Sequence, residues 1–310
     1  MLWQKAAFFL AIAFLLSPWG SPYMALALGF AMTLTIGNPF PGLSGKPAKY
    51  LLQASVVMLG FGMNLEAVVK AGRGGIAFIV AVVFGALILG FALGKLLGVS
   101  SKIRTLISCG TAICGGSAIA AVGPAIKAEN DEISVSLGTV FILNAIALFL
   151  FPLIGHSLDM SQSQFGLWAA IAIQDTSSVV GASSGYGADS LAVATTVKLA
   201  RTLWIIPLAL ALAFAYRDRE GKAKIALPWF IFFFIGAVAA RTYGSSHVLP
   251  SIFDAFVNLA KAGLTVTLFL IGLSLTREML KNVGWRPFAL GTVLWIIIAA
   301  GSLWAVLSFG

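Results

Sequence analysis

Apolar runs of 15–25 residues follow one another from end to end of this 310-residue chain, and no stretch between them is long enough for a soluble domain. Crossing a bilayer core takes about 20 apolar residues of helix, and a helix is one of only two structures that satisfy their own backbone there. A chain written this way is therefore expected to be an all-α polytopic membrane protein. Its composition agrees: 59% hydrophobic, 10% charged, mean hydropathy +0.98, outside the range of soluble domains. The first run, Ala6–Leu16, has the length of a signal-peptide core, but no small-residue cleavage site precedes a soluble remainder, so it reads as a retained helix. Eleven spans are expected, at about 6–17, 22–36, 50–64, 75–97, 104–128, 134–155, 165–180, 189–216, 225–240, 251–274 and 285–308. A re-entrant segment would lower that number, so the expectation is about 10–11 transmembrane helices in one transporter domain.

The net charge of +9 is scattered through short loops, which argues against a nucleic-acid partner and for the positive-inside rule. With the N-terminus cytoplasmic, the inner loops hold Lys46 and Lys49, Lys95, Lys102 and Arg104, Arg217 to Lys224, and Arg277, Lys281 and Arg286. The outer loops then hold only Lys70, Arg73, Lys127 and Arg241, and the C-terminus lies outside.

Residues 104–128 are apolar enough to cross, yet Gly110, Gly115, Gly116 and Ser117 interrupt them near the middle. Backbone groups freed by such a break persist in a membrane only where they line a cavity or bind something. A half-helix starting at Ser117 would aim its positive end at an anion. Cys109 and Cys114 lie in the same stretch and read as small packing residues. A second interruption is expected at Ile173-Gln174-Asp175-Thr176-Ser177-Ser178. Asp175 is either a functional carboxylate or a helix N-cap, for which Ser177 is also suited. Lys198 and Arg201 share one face of the next span, at a spacing of three residues. They either snorkel or face inward, to meet an anion or to neutralise Asp175. Lys261 is a further cation within a span, and Asn64, Asn144 and Ser274 suit bonds between helices. His156 and Asp159 offer too few neighbours for a metal site.

Gly62-Met63-Asn64-Leu65 and Gly272-Leu273-Ser274-Leu275 end two spans expected to run oppositely, the pattern of an inverted repeat. In Tyr50-Leu51-Leu52, Leu59-Gly60-Phe61-Gly62 with Leu65, Ala112-Ile113-Cys114-Gly115-Gly116-Ser117-Ala118-Ile119-Ala120-Ala121, Pro124 with Lys127-Ala128, Val179-Val180-Gly181-Ala182, and Lys198 with Arg201, the chain resembles the YeiH-type family of bacterial inner-membrane proteins, which carries the name of sulfate exporters. That family in turn looks like the cation–proton antiporter and bile-acid symporter group. The resemblance implies inverted repeats, broken helices crossing at mid-membrane, elevator-type movement and a homodimer. This chain has Gln53 and Gly62 where members commonly carry Arg, and Gln174-Asp175 where His-Glu is common, leaving Asp175 as the protonatable group.

The expectation is a secondary transporter of a small anion (sulfate, sulfite or organosulfonate), with no cofactor beyond a coupling H⁺ or Na⁺. Gly115, Gly116, Ser117, Ser177, Ser178, Lys198 and Arg201 would bind substrate, and Gln174 and Asp175 the coupling ion. The alternatives are a cation/proton antiporter using Asp175 and, more remotely, an intramembrane enzyme using Ser117 or Cys114 with His156.

Overall fold

The structure is a computed structural model and describes residues 2–17, 19–63, 65–215, 229–244, 250–274 and 283–309. Its elements are α1 (Leu2–Leu15), α2 (Pro22–Thr35), α3 (Lys46–Leu59) with a 3-10 turn Gly60–Gly62, α4 (Leu65–Leu96), α5 (Ser101–Ala112), α6 (Gly116–Ala125) and α7 (Asn130–Ser157). They continue with α8 (Gln162–Ala172), α9 (Thr176–Tyr186), α10 (Ala188–Thr202), α11 (Ile205–Ala215), α12 (Trp229–Gly244), α13 (Pro250–Ser274) and α14 (Trp285–Phe309). No strand occurs among the described residues. Local chemistry sets the starts. Ser21 caps α2 with Pro22 in its first turn, Ser100 caps α5, and Ser161 with Gln164 forms a reciprocal capping box on α8.

Among the described residues, five segments are long and apolar enough to cross a membrane: Ile79–Leu96, Asn130–Ser157, Ala188–Leu212, Ser251–Ser274 and Trp285–Ser308. Six of the eleven expected spans are not among them: 6–17, 22–36, 50–64 and 225–240 fall on helices of only 14–16 residues, and for 104–128 and 165–180 the geometry replaces a crossing helix. Each of these two is a hairpin. Lys102 at the start of α5 reaches Glu132 at the start of α7, 3.6 Å away, and Gly110 of α5 lies against Ile119 of α6. The chain therefore reverses at Ile113–Gly115, and α6 returns to the end from which α5 began. In the second hairpin, the Phe165 ring near the start of α8 stacks at 3.8 Å on Tyr186, the last residue of α9. The Asp189 amide donates to Gln162 Oε1 at 3.0 Å, closing the same base. Arms of 10–12 residues rise only about 15–18 Å, half of a bilayer core.

Helix α7 sets the two hairpins in opposition. Its 28 residues extend about 42 Å. Ile133 near its start packs on Gly123 at the first base, Val140 and Asn144 meet the two tips, and Gly155 packs on Phe165 and Tyr186 at the second base. The hairpins thus enter from opposite ends of α7 and meet at its middle.

The helices fall into two packed groups. One holds α1, α2, α3, α12 and α13; the other holds α4 through α11 with α14. In the first, α2 and α13 approach closely enough that a Cβ on Gly29 would stand 3.1 Å from the Gly272 Cα, the close crossing that small residues permit. The seam between the groups is apolar: Val56, Leu59 and Leu264 pack with Val180, Leu191 and Leu199. The two stretches expected to mark an inverted repeat meet different surroundings, Gly62 facing Val257 and Gly272 facing α2. Asn64, Leu275 and the basic residues of 216–228 and 275–282 lie outside the described residues.

Candidate functional site at the hairpin tips

Two helices that end head to head in an apolar interior each leave several carbonyl oxygens without an intrahelical partner. Here α10 supplies the donors. Lys198 Nζ donates to the carbonyls of Ile113 (3.2 Å), Ala170 (3.4 Å) and Ile173 (2.9 Å). Arg201 donates through Nε to Ala112 (2.7 Å), through one terminal nitrogen to Ile171 (2.5 Å) and Ala170 (3.4 Å), and through the other to Thr111. Trp295 Nε1 of α14 takes the Ala172 carbonyl at 3.1 Å. Both cations are 0% exposed. Their positive charge sits where the negative ends of two helix dipoles converge, and no ion pair joins either of them to Asp175 among the described residues. Of the two positions open to this pair, the structure shows the inward-facing one, and the partners are carbonyls, not Asp175.

At the first tip Gly115 adopts φ +63 and ψ −122, a conformation L side chains rarely enter. A Cβ there would also stand 3.1 Å from Val140 and 3.4 Å from the backbone of Asp175, so the two tips are in contact. Gly116 opens α6 against Phe141, without a side-chain cap, and Ser117 beside it is exposed.

At the second tip Asp175 is the N-cap of α9. Its Oδ2 accepts from the amides of Ser177 (3.0 Å) and Ser178 (3.3 Å) and from the Ser177 hydroxyl. Ser177 and Ser178 are buried and their amides are spent on this cap. Asp175 is half-buried, and Oδ1 has no partner among the described residues. The Gln174 side chain donates to Thr111 of the other hairpin at 2.9 Å, while its Oε1 is buried without a partner among the described residues. Asn144 Oδ1 accepts from the amides of Gln174 (2.9 Å) and Asp175 (3.1 Å), and its own amide nitrogen is left unpartnered. Asn144 was expected to bond between helices and does so, though its target is the tip backbone. Thr111 and Trp295 carried no sequence signal of their own, since what they touch is defined only by the fold.

His156 stacks on Tyr186 at the second base, about 20 Å along α7 from the residues beside Ser117. The structure does not bring His156 to Ser117 or Cys114. Both cysteines are free and buried. A cavity of about 380 Å³ lies on the seam, with Leu59 and Met63 on one side and Ser184, Leu191 and Thr195 on the other.

These features define a polytopic helical membrane protein whose centre is built from two opposed, tip-to-tip helical hairpins. The chain belongs to the family described as Conserved hypothetical protein 698, whose model matches residues 6–291. Similar relatives are UPF0324 membrane proteins. That of Bacteroides thetaiotaomicron is 51% identical over 288 residues, covering 93% of this chain and 86% of the relative. That of Porphyromonas gingivalis is 52% identical over 286 residues, covering 92% and 86%. That of Vibrio vulnificus is 46% identical over 308 residues, covering 97% of each. Their names state a membrane protein and no activity. No solved structure matches the chain.

Proposed function

We propose that the protein is a secondary active transporter of a small anion, coupled to H⁺ or Na⁺, in the bacterial inner membrane with its N-terminus cytoplasmic. The observation that carries this reading is the contact between the tips: Gly115, which precedes the uncapped start of α6, packs against the backbone of Asp175. A helix N-terminus attracts an anion, and an ionised Asp175 beside it repels one. Binding of H⁺ or Na⁺ at Asp175 removes that repulsion, with the unpartnered Gln174 Oε1 as a second oxygen for the cation. Anion and coupling ion then bind together. Lys198 and Arg201 act by holding both tips in register, since their donors are occupied by carbonyls. Buried polar backbone of this kind is tolerated in membranes where it serves a site.

The apolar seam supports an elevator movement, in which the hairpin group slides against α2, α3, α12 and α13. Two hairpins that do not cross also put Lys127 on the basic side, leaving Lys70, Arg73 and Arg241 opposite, a stronger positive-inside asymmetry. Uptake of labelled anions into proteoliposomes under imposed H⁺ or Na⁺ gradients tests the reading. Asp175→Asn is expected to abolish gradient-driven uptake; uptake that remains equally gradient-driven in this variant overturns it.

The same unpartnered Gln174 oxygen favours a second reading, a cation/proton antiporter. It predicts Na⁺-dependent proton movement in vesicles without any permeant anion, and loss of that signal in Asp175→Asn.

A further inference from the structure

Lys261 lies about three turns into α13 and lines the seam cavity of about 380 Å³. Lys261 is an exposed residue, and its ammonium has neither a hydrogen-bond acceptor nor an ion-pair partner among the described residues. Among the described residues, no carboxylate lines the cavity with it. Across from it, Thr195 of α10 is 0% exposed and its hydroxyl has no partner among the described residues. A buried donor left unpaired costs on the order of 1–3 kcal/mol, which a bound acceptor would recover. The hydroxyls of Ser184 and Thr265 also face the cavity, each donating to a carbonyl of its own helix at 3.0 Å. Everything else of size is apolar: Leu59, Met63, Leu191, Val257 and Leu264.

One cation, one free hydroxyl and an aliphatic wall select a ligand by subtraction. A metal ion or organic cation meets Lys261 and nothing to offset it. A dianion such as sulfate would keep a net negative charge against aliphatic walls that offer no replacement for its water, and burying a charge without full pairing is costly. An anion with a single charge and a short hydrocarbon body matches both halves.

We propose that this cavity binds a monovalent organic anion, an alkyl sulfonate or carboxylate of a few carbons, with its head on Lys261 and Thr195 and its tail against Leu59, Met63 and Leu191. This cavity is a second site, apart from the hairpin tips, since none of Gly115, Gly116, Ser117 or Asp175 lines it; it rests on the anion-transport reading above and specifies the class of anion that reading carries. It lies between the two helix groups, on the face where α9 ends and α10 begins, which the charge pattern puts outside. An anion seated there touches both bodies that the elevator reading moves apart.

The test is thermal unfolding of the full chain in detergent with sodium sulfate, the sodium C1–C4 alkyl sulfonates and the matching carboxylates, at equal Na⁺ and pH. A ligand that binds only the folded state raises the midpoint by mass action. Alkyl anions are expected to raise it by about 3 °C or more at saturation, while sulfate leaves it unchanged. Affinity should improve roughly fourfold per methylene until the tail fills the cavity. Whichever head group binds more tightly names the class. Lys261→Ala should weaken binding about ten- to a hundredfold, and Lys261→Arg should retain most of it. Lys261 is exposed, so both variants are expected to fold with an unchanged ligand-free midpoint. A shift from sulfate alone, or an alkyl-anion shift that persists in Lys261→Ala, overturns this site and leaves anion transport standing. No shift from any of these anions in the wild type overturns both.

Discussion

Arg201 spans the carbonyls of two different hairpins with one planar head, and Lys198 fills the positions it does not reach. The fork geometry matters as much as the charge. Arg201→Lys keeps the charge but strands at least two buried carbonyls, and is expected to lower stability by about 3 kcal/mol, read as a fall in the thermal midpoint. Arg201→Met should fail to accumulate as folded protein. Asp175→Asn behaves differently: the amide oxygen still caps Ser177 and Ser178. Its thermal midpoint should change by less than about 1 kcal/mol equivalent while coupling is lost, which separates a working group from a structural one. Gly115→Ala should cost about 1–2 kcal/mol from its left-handed backbone alone, and more because Val140 stands 3.1 Å from the new methyl. Circular-dichroism melting of the purified variant checks this.

Hairpin and crossing helix make opposite statements about which side of the membrane a loop lies on. If α5–α6 and α8–α9 each return to their own end, Lys127→Cys lies on the cytoplasmic side and Ser161→Cys outside; if both segments cross, the two positions exchange. A membrane-impermeant maleimide applied to intact cells, with Cys109 and Cys114 replaced by Ala, is expected to label Ser161→Cys and to reach Lys127→Cys only after permeabilisation. The sequence made both interruptions legible, because glycine and a run of small polar residues are visible wherever they fall. That a segment could be re-entrant was legible; that both of these reverse was not. Hydropathy sums over 104–128 regardless of whether the second half continues or doubles back. Two signals could have found it: each half is about 15–18 Å long, and Lys102, Arg104 and Lys127 put positive charge at both ends of the first segment. Lys198 and Arg201 were visible as cations on one helix face. Their targets were hidden because a carbonyl looks alike on every residue.

At the scale of the molecule, the two helix groups touch through an apolar seam with a cavity in it. Met63 and Leu191 line that cavity from opposite sides. With both replaced by cysteine on the same cysteine-free background, a short bifunctional maleimide should stop transport, while modification of either cysteine singly should slow it only partially; vesicle flux before and after cross-linking reads the difference. The shared cations set a limit on how such movement can occur. Lys198 bonds to Ile113 on one tip and to Ile173 on the other, so lifting either hairpin alone tears several buried bonds at once. Neither hairpin is free to serve as a lid. On the transport reading proposed above, a solute held at this centre leaves when the pair of hairpins is carried past a stationary wall, and the opening on each side is then the same doorway presented at two heights.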